Sequence, residues 1–260
     1  MYYFDVMSDF DLTGRRVIVT GGASGMGAGT VRGFSRLGAQ VVSLDLNEEA
    51  GGAVAKEVGA AFLTCDVTSQ ESVESAVKGA AGILGGLDVL VNAAGIAPFG
   101  SAAETSLATW ERIIAVNATG TFLTNVAVFP HLRDGGGRVI NFASSAGIIG
   151  LPAKAAYSAS KGAVVAWTRT LAIEWAPYGI TVNAIAPAIW TPMYDKTRSE
   201  MSPEALAAHD AALKRTIPLG GRLGDIERDF LPVIAFVASP ASRFMTGQMF
   251  AADGGLLPMR

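Results

Sequence analysis

Cysteine is almost absent. Cys65 stands alone among 260 residues, which excludes an internal disulfide framework. It falls in the apolar run 60–67 and reads as a core residue rather than a nucleophile. Histidine is nearly as scarce, and neither His131 nor His209 has a partner at metal-ligand spacing, so no metal is expected. Charge of one sign is lacking too: the net charge is −3, with no basic block and no acidic tail. Nucleic acid and an anionic membrane surface are therefore not expected partners. No uninterrupted apolar stretch reaches the roughly 18 residues of a membrane span. The opening segment 1–11 is acidic and aromatic, without the basic and apolar regions of a signal peptide, and reads as an N-terminal arm. A cytoplasmic protein is the simplest expectation.

What is plentiful is apolar surface and glycine: half the residues are hydrophobic and 31 are Gly. That composition suits a compact α/β enzyme of one domain, 12–260, with a core large enough to need no staple. Short apolar runs predict strands at Val17–Thr20, Val41–Asp45, Ala61–Asp66, Val89–Ala93, Val139–Ala143, Thr181–Ala186 and Gln248–Ala251. Helical patterns lie between them at Gly25–Leu37, Ser69–Leu84, Leu107–Phe129, Ala155–Trp175 and Ile226–Ala238. The alternation implies right-handed crossovers and a doubly wound, mostly parallel sheet of seven strands with helices on both faces. Residues 190–218 break the alternation, with a helical piece at Pro203–Leu213, and read as a lid.

The first strand runs into Thr20-Gly21-Gly22-Ala23-Ser24-Gly25-Met26-Gly27, which opens a helix. Glycines there let backbone N–H groups approach a pyrophosphate at a helix N-terminus. The same turn also occurs without a ligand, so its position between strand and helix carries the reading. Asp45 ends the second strand, where a carboxylate accepts hydrogen bonds from adenosine ribose hydroxyls and repels a 2′-phosphate. No cation follows it in Leu46-Asn47, which favours NAD over NADP.

Tyr157 and Lys161 are four apart in a helical pattern and share a face. A free phenol is a poor base near neutral pH; a nearby ammonium and an oxidised nicotinamide would lower its pKa. Tyr157 would then serve as base toward an alcohol, or as acid toward a ketone. Ser144 follows the fifth strand, at the carboxyl end where open sheets bind ligands, and can hydrogen-bond the reacting oxygen. A Tyr-x-x-x-Lys pair alone is a common spacing on solvated helices, and the combination gives it meaning.

That combination resembles the short-chain dehydrogenase/reductase family over nearly the whole chain, from Leu12 to Leu257. The matching pieces are the loop Thr20–Gly27, Asp66-Val67, Asn92-Ala93-Ala94-Gly95, Asn117, Ser144, Tyr157-x-x-x-Lys161, Pro187 with Thr191, Thr246-Gly247-Gln248 and Asp253-Gly254-Gly255. The resemblance implies a Rossmann-type fold, an NAD cofactor and a homotetramer. It implies that Gly21, Ser24, Gly25, Met26 and Gly27 cradle the cofactor and that Asp66 and Val67 bracket the adenine. Asn92, Ala94 and Gly95 would lie near the cofactor ribose, Lys161 would bind the nicotinamide ribose, and Pro187, Ile189 and Thr191 would meet the carboxamide. Asn117 would hold a water linking Lys161 to solvent. Three positions depart from the family pattern: Ala93 replaces a second Asn, Ala188 replaces a Gly, and Thr191 comes one residue early.

The expected substrate is a secondary alcohol such as a polyol or sugar, interconverted with its ketone. Its pocket would be walled by Ser144, Ala146, Ile149, Tyr157, Trp190, Met193 and Tyr194. The cations near the mouth are Lys154 and the lid's Lys196 and Arg198, and no obligatory clamp for a carboxylate or phosphate is indicated. A ketoacyl-type reductase and a catalytically idle NAD-binding regulator are the competing readings; Asp45 opposes the first, and the intact Ser144–Tyr157–Lys161 set opposes the second.

Overall fold

The computed structural model describes residues 11–257. The expected arm therefore lies outside the described residues, except for Asp11. Seven parallel strands form one sheet in the order β3-β2-β1-β4-β5-β6-β7. They are β1 (Arg16–Thr20), β2 (Gln40–Asp45), β3 (Ala61–Thr64), β4 (Val89–Asn92), β5 (Gly137–Phe142), β6 (Ile180–Pro187) and β7 (Met249–Ala252). All seven match expected runs, with ends moved by a residue or two. β3 stops early because Asp66 turns the chain, its Oδ1 accepting from the Thr68 amide at 2.9 Å.

Pleating sends alternate strand residues to opposite cores. Val17, Val19, Val89, Val91 and Ile140 join one cluster with Val31 and Phe34 of α1 (Gly25–Arg36). Ile18, Leu90 and Val139 join the other cluster, beneath α3 (Gln70–Leu84). Between these two helices, α2 (Glu48–Val58) was not anticipated, since Gly51 and Gly52 weaken its helical pattern. The glycine at 51 is a packing need: a Cβ there would stand 2.1 Å from the Phe62 ring. Asn47 caps α2 by accepting from the Ala50 amide, and Gly59 ends it at φ 69°.

The expected helix from Leu107 is continuous but not uniform. α4 (Leu107–Ile114) passes through a π-helical segment, Ala115–Thr119, into α5 (Gly120–Leu132). Together Leu107–Leu132 are long and apolar enough to cross a membrane by length and composition, although Glu111 and Arg112 interrupt the apolar run. In the fold, Val128 and Leu132 of this helix are fully buried in the second core. A single turn, α6 (Ala146–Ile149), precedes α7 (Ala155–Glu174). The lid holds two helices where one was expected, α8 (Pro192–Ser199) and α9 (Pro203–Thr216), and α10 (Leu231–Ala238) closes the first core. The strand order reverses between β1 and β4, so the crevice at their carboxyl ends is where such a sheet takes a ligand.

Candidate active site

A cleft of about 400 Å³ opens at that switch point. Its floor is the glycine turn after β1. Gly21 has φ +70°, and a Cβ there would lie 2.7 Å from the Ala94 backbone, so only glycine lets the turn pass β4's end. A Cβ on Gly27 would lie 2.0 Å from the Gly21 carbonyl oxygen, which fixes glycine at the start of α1 as well. Gly25, at φ +53°, would place a Cβ 3.8 Å from the Thr191 Cβ, so the glycine turn and the start of the lid face each other across the cleft. Ser24 and Met26 complete this wall.

At one end of the cleft stand Asp45, Asp66 and Val67. Asp45 Oδ2 accepts from the Ala23 amide at 3.0 Å and Oδ1 from the Asn47 amide at 3.0 Å, which orients the carboxylate. Cys65 also borders this end; burial pushes its thiol up to about 11, which removes it as a nucleophile at neutral pH. No arginine lines the cleft among the described residues, and the one lysine there is Lys161 at the opposite end.

That far end brings together Tyr157, Lys161, Ala94, Gly95, Pro187, Thr191 and Met193. The Lys161 ammonium is buried, donates to the Phe142 carbonyl at 2.7 Å, and lies 5.8 Å from the Tyr157 ring centre. Burial lowers its pKa to about 8. Tyr157 is hydrogen-bonded to Ser144, which favours the phenolate, but burial dominates and raises the phenol above its ordinary value. The lowering expected from the sequence is thus not produced by the polypeptide, because desolvation of the ring outweighs the Ser144 bond. Ser144 is oriented by accepting from the Ala146 amide at 3.1 Å.

Other expected site residues lie behind the cleft rather than in its lining. Asn117 is fully buried at the centre of the π segment, where such bulges often serve function. Its Oδ1 accepts from the Ile96 amide and its Nδ2 donates to the Ile96 carbonyl, both at 2.9 Å, so it clamps the cleft wall in both senses. Ser160, not singled out in the sequence, bridges Asn117 Nδ2 at 3.0 Å to the Tyr157 carbonyl at 2.7 Å. Gly95 packs closely against Asn117 and Lys161: a Cβ there would lie 3.2 Å from Asn117 Oδ1 and 3.6 Å from Lys161 Nζ. Asn92 is buried beneath the cleft and bonded to Asn141 and Thr124. The Ile189 side chain packs into the first core.

Of the expected substrate walls, Met193 lines the cleft and Ser144 and Tyr157 are joined, whereas Ala146 is buried and Ile149 is exposed. Trp190 and Tyr194 belong to a latch. Trp190 Nε1 donates to Asp195 at 2.7 Å, Tyr194 Oη meets His209 Nε2 at 2.6 Å, and Arg198 stacks 5.0 Å over Trp190 while pairing with Asp210. The two lid helices are thereby tied to each other. No short motif announces these contacts, which is why the sequence left them out.

The family model described as Enoyl-(Acyl carrier protein) reductase matches residues 21–257. The chain is 38% identical over 245 residues to the L-fucose dehydrogenase of Bos taurus, covering 93% of this chain and 89% of that one. It is 38% identical over 254 residues to 2-(S)-hydroxypropyl-CoM dehydrogenase 3 of Xanthobacter autotrophicus, covering 92% and 95%. D-threitol dehydrogenase of Mycolicibacterium smegmatis is 35% identical over 254 residues, covering 95% and 94%. Among solved structures, a short-chain type dehydrogenase/reductase from Mycobacterium marinum superposes with a TM-score of 0.87 at 35% identity, covering 98% and 100%.

Proposed function

The chain belongs to the short-chain dehydrogenase/reductase family and is an oxidoreductase of CH–OH groups; from that premise we propose that it interconverts a secondary alcohol and its ketone with NAD, using Tyr157 as the proton-transfer group. The observation that carries this reading is the convergence of Ser144, Tyr157 and Lys161 at one end of a cleft whose other end presents an oriented Asp45. The glycine cradle fits a dinucleotide, since side chains at 21 and 27 would collide with backbone, and the N-terminal end of α1, which favours a pyrophosphate, borders the cleft at Gly25, Met26 and Gly27. Nicotinamide, when bound, supplies the hydride acceptor.

The protein's own groups handle the proton. Tyr157 takes it from the alcohol hydroxyl, Ser144 holds the same oxygen, and Lys161 holds positive charge beside the forming phenolate. Burial raises the phenol, so the lowering a base needs would come from Lys161 and Ser144 together with the positive charge that an oxidised nicotinamide would supply when bound. Asn117 keeps Ile96 and, through Ser160, the Tyr157 turn in register, so we assign it a positioning role. The relatives' names, L-fucose dehydrogenase, 2-(S)-hydroxypropyl-CoM dehydrogenase 3 and D-threitol dehydrogenase, support a small hydroxy compound as the substrate.

Asp45 supports NAD over NADP, with no cation nearby in the cleft lining to receive a 2′-phosphate. We propose a homotetramer in the cytoplasm, where the NAD pool is recycled; Phe122, Val126, Ile173 and Phe244 are exposed apolar side chains suited to subunit contact. The test is NADH formation from a panel of secondary alcohols. Turnover with NAD well above NADP is expected. NAD binding without turnover of any alcohol or ketone would point instead to a regulator.

A further inference from the structure

Besides Lys161, the sequence offers three cations for the mouth of the site, and the fold disposes of two. Arg198 is forked onto Asp210 within the lid, and Lys196 is exposed on the lid helix α8. Lys154 is different. It occupies the cap position of α7, three residues before Tyr157, and its ammonium is held over two aromatic rings, 3.4 Å from the centre of Phe99 and 5.8 Å from that of Tyr157. The Tyr157 ring is thus flanked by Lys154 and Lys161 at the same distance.

The ammonium of Lys154 donates to the Ala97 carbonyl, and Ala97 itself lines the cleft. Among the described residues no carboxylate forms an ion pair with it. A half-buried ammonium without a counter-charge is costly, and the cost shows: burial lowers its pKa to about 8. Packing alone does not need that charge, because the lysine stem could be replaced by Met or Leu. An ammonium has three donors, and the carbonyl uses one. The ring covering the remainder, Phe99, is 55% exposed, so it can yield to a ligand with little loss of buried surface.

We propose that Lys154 is an anion subsite for the substrate, so that the enzyme acts on secondary hydroxy acids whose carboxylate pairs with Lys154 while the hydroxyl meets Tyr157. This rests on the dehydrogenase reading above and narrows it from neutral polyols to alcohols carrying an acid a few bonds from the carbinol. The sequence indicates no obligatory clamp for a carboxylate; in this proposal the clamp is a single lysine, inconspicuous in sequence because it is only another charge before a helix.

The experiment compares acid and amide forms of one skeleton. Hexanoate and hexanamide are titrated calorimetrically into the protein with NADH, and 5-hydroxyhexanoate and 5-hydroxyhexanamide are assayed for turnover. Wild type should bind hexanoate in preference to hexanamide. In Lys154→Met the acid-to-amide ratio should fall about tenfold or more, the scale of one hydrogen bond between charged groups, and Lys154→Arg should restore much of it. Lys154→Gln repeats the test should the Met variant not fold. No acid preference in wild type, or an equal loss for acid and amide in the variants, would overturn the subsite. Failure of the dehydrogenase reading would look different, as absence of turnover for both forms whatever the calorimetry shows.

Discussion

In the proposed reaction Tyr157 and Lys161 carry the chemistry, and both are buried at a cost. Lys161 is lowered from 10.5 to about 8, a penalty on its charged form of roughly 3 kcal/mol. Because the folded pKa lies below the unfolded one, that penalty is in force below pH 8 and fades as pH rises toward 10.5. Lys161→Met should therefore abolish turnover without lowering the melting temperature, the lost Phe142 carbonyl partner offsetting part of the gain. Tyr157→Phe should lower kcat by about 10³-fold or more, with NADH affinity little changed, as expected for loss of a proton-transfer group. In the oxidation direction the rate should rise with pH as the phenol in the ternary complex ionises, and in reduction it should fall. Asp45→Ala should narrow the NAD-over-NADP preference by about tenfold or more, read from kcat/KM with each cofactor. At this scale the sequence was informative about placement, since Ser144 and Tyr157 are hydrogen-bonded and Lys161 lies beside the same ring. It did not foresee the raised phenol, because desolvation depends on what packs around the ring.

Strands were legible because residues such as Val17–Val19 and Val89–Val91 are buried on both faces and form unbroken apolar runs. Helix α2 was not, since Gly51 answers to Phe62 and to no local rule. The lid was legible as an interruption but not as a latch. Tyr194–His209 and Arg198–Asp210 join residues whose pairing is set only when α8 packs against α9, and Trp190–Asp195 braces the start of α8. Asp210→Asn should loosen that packing and raise KM about threefold to tenfold while leaving the unfolding midpoint nearly unchanged, since a part-exposed pair is worth about 1 kcal/mol. Steady-state kinetics beside thermal melts would check it; a loss of stability matching the loss of affinity would make the pair a structural one. The π segment was equally hidden; it carries Asn117 at its centre, bonded to the Ile96 backbone.

On the scale of the whole molecule, the cleft lies between the two halves of the sheet, joining the glycine turn after β1 to the wall carried by β4, β5 and α7. A ligand bridging those halves stabilises the folded state by mass action. NADH at about 100 times its dissociation constant should add roughly 2.7 kcal/mol, raising the melting temperature by about 5–10 °C, and NADPH should add much less. Light scattering should report a tetramer; a monomer at micromolar concentration would remove the subunit contacts proposed for Phe122, Val126, Ile173 and Phe244. In the proposed reaction Tyr157 moves a proton while NAD takes a hydride. The most direct measurement is single-turnover NADH formation from a secondary alcohol by wild type and Tyr157→Phe, each saturated with NAD. Rapid NADH appearance in wild type and none on that timescale in the variant is the result predicted. Equal rates in both would contradict it.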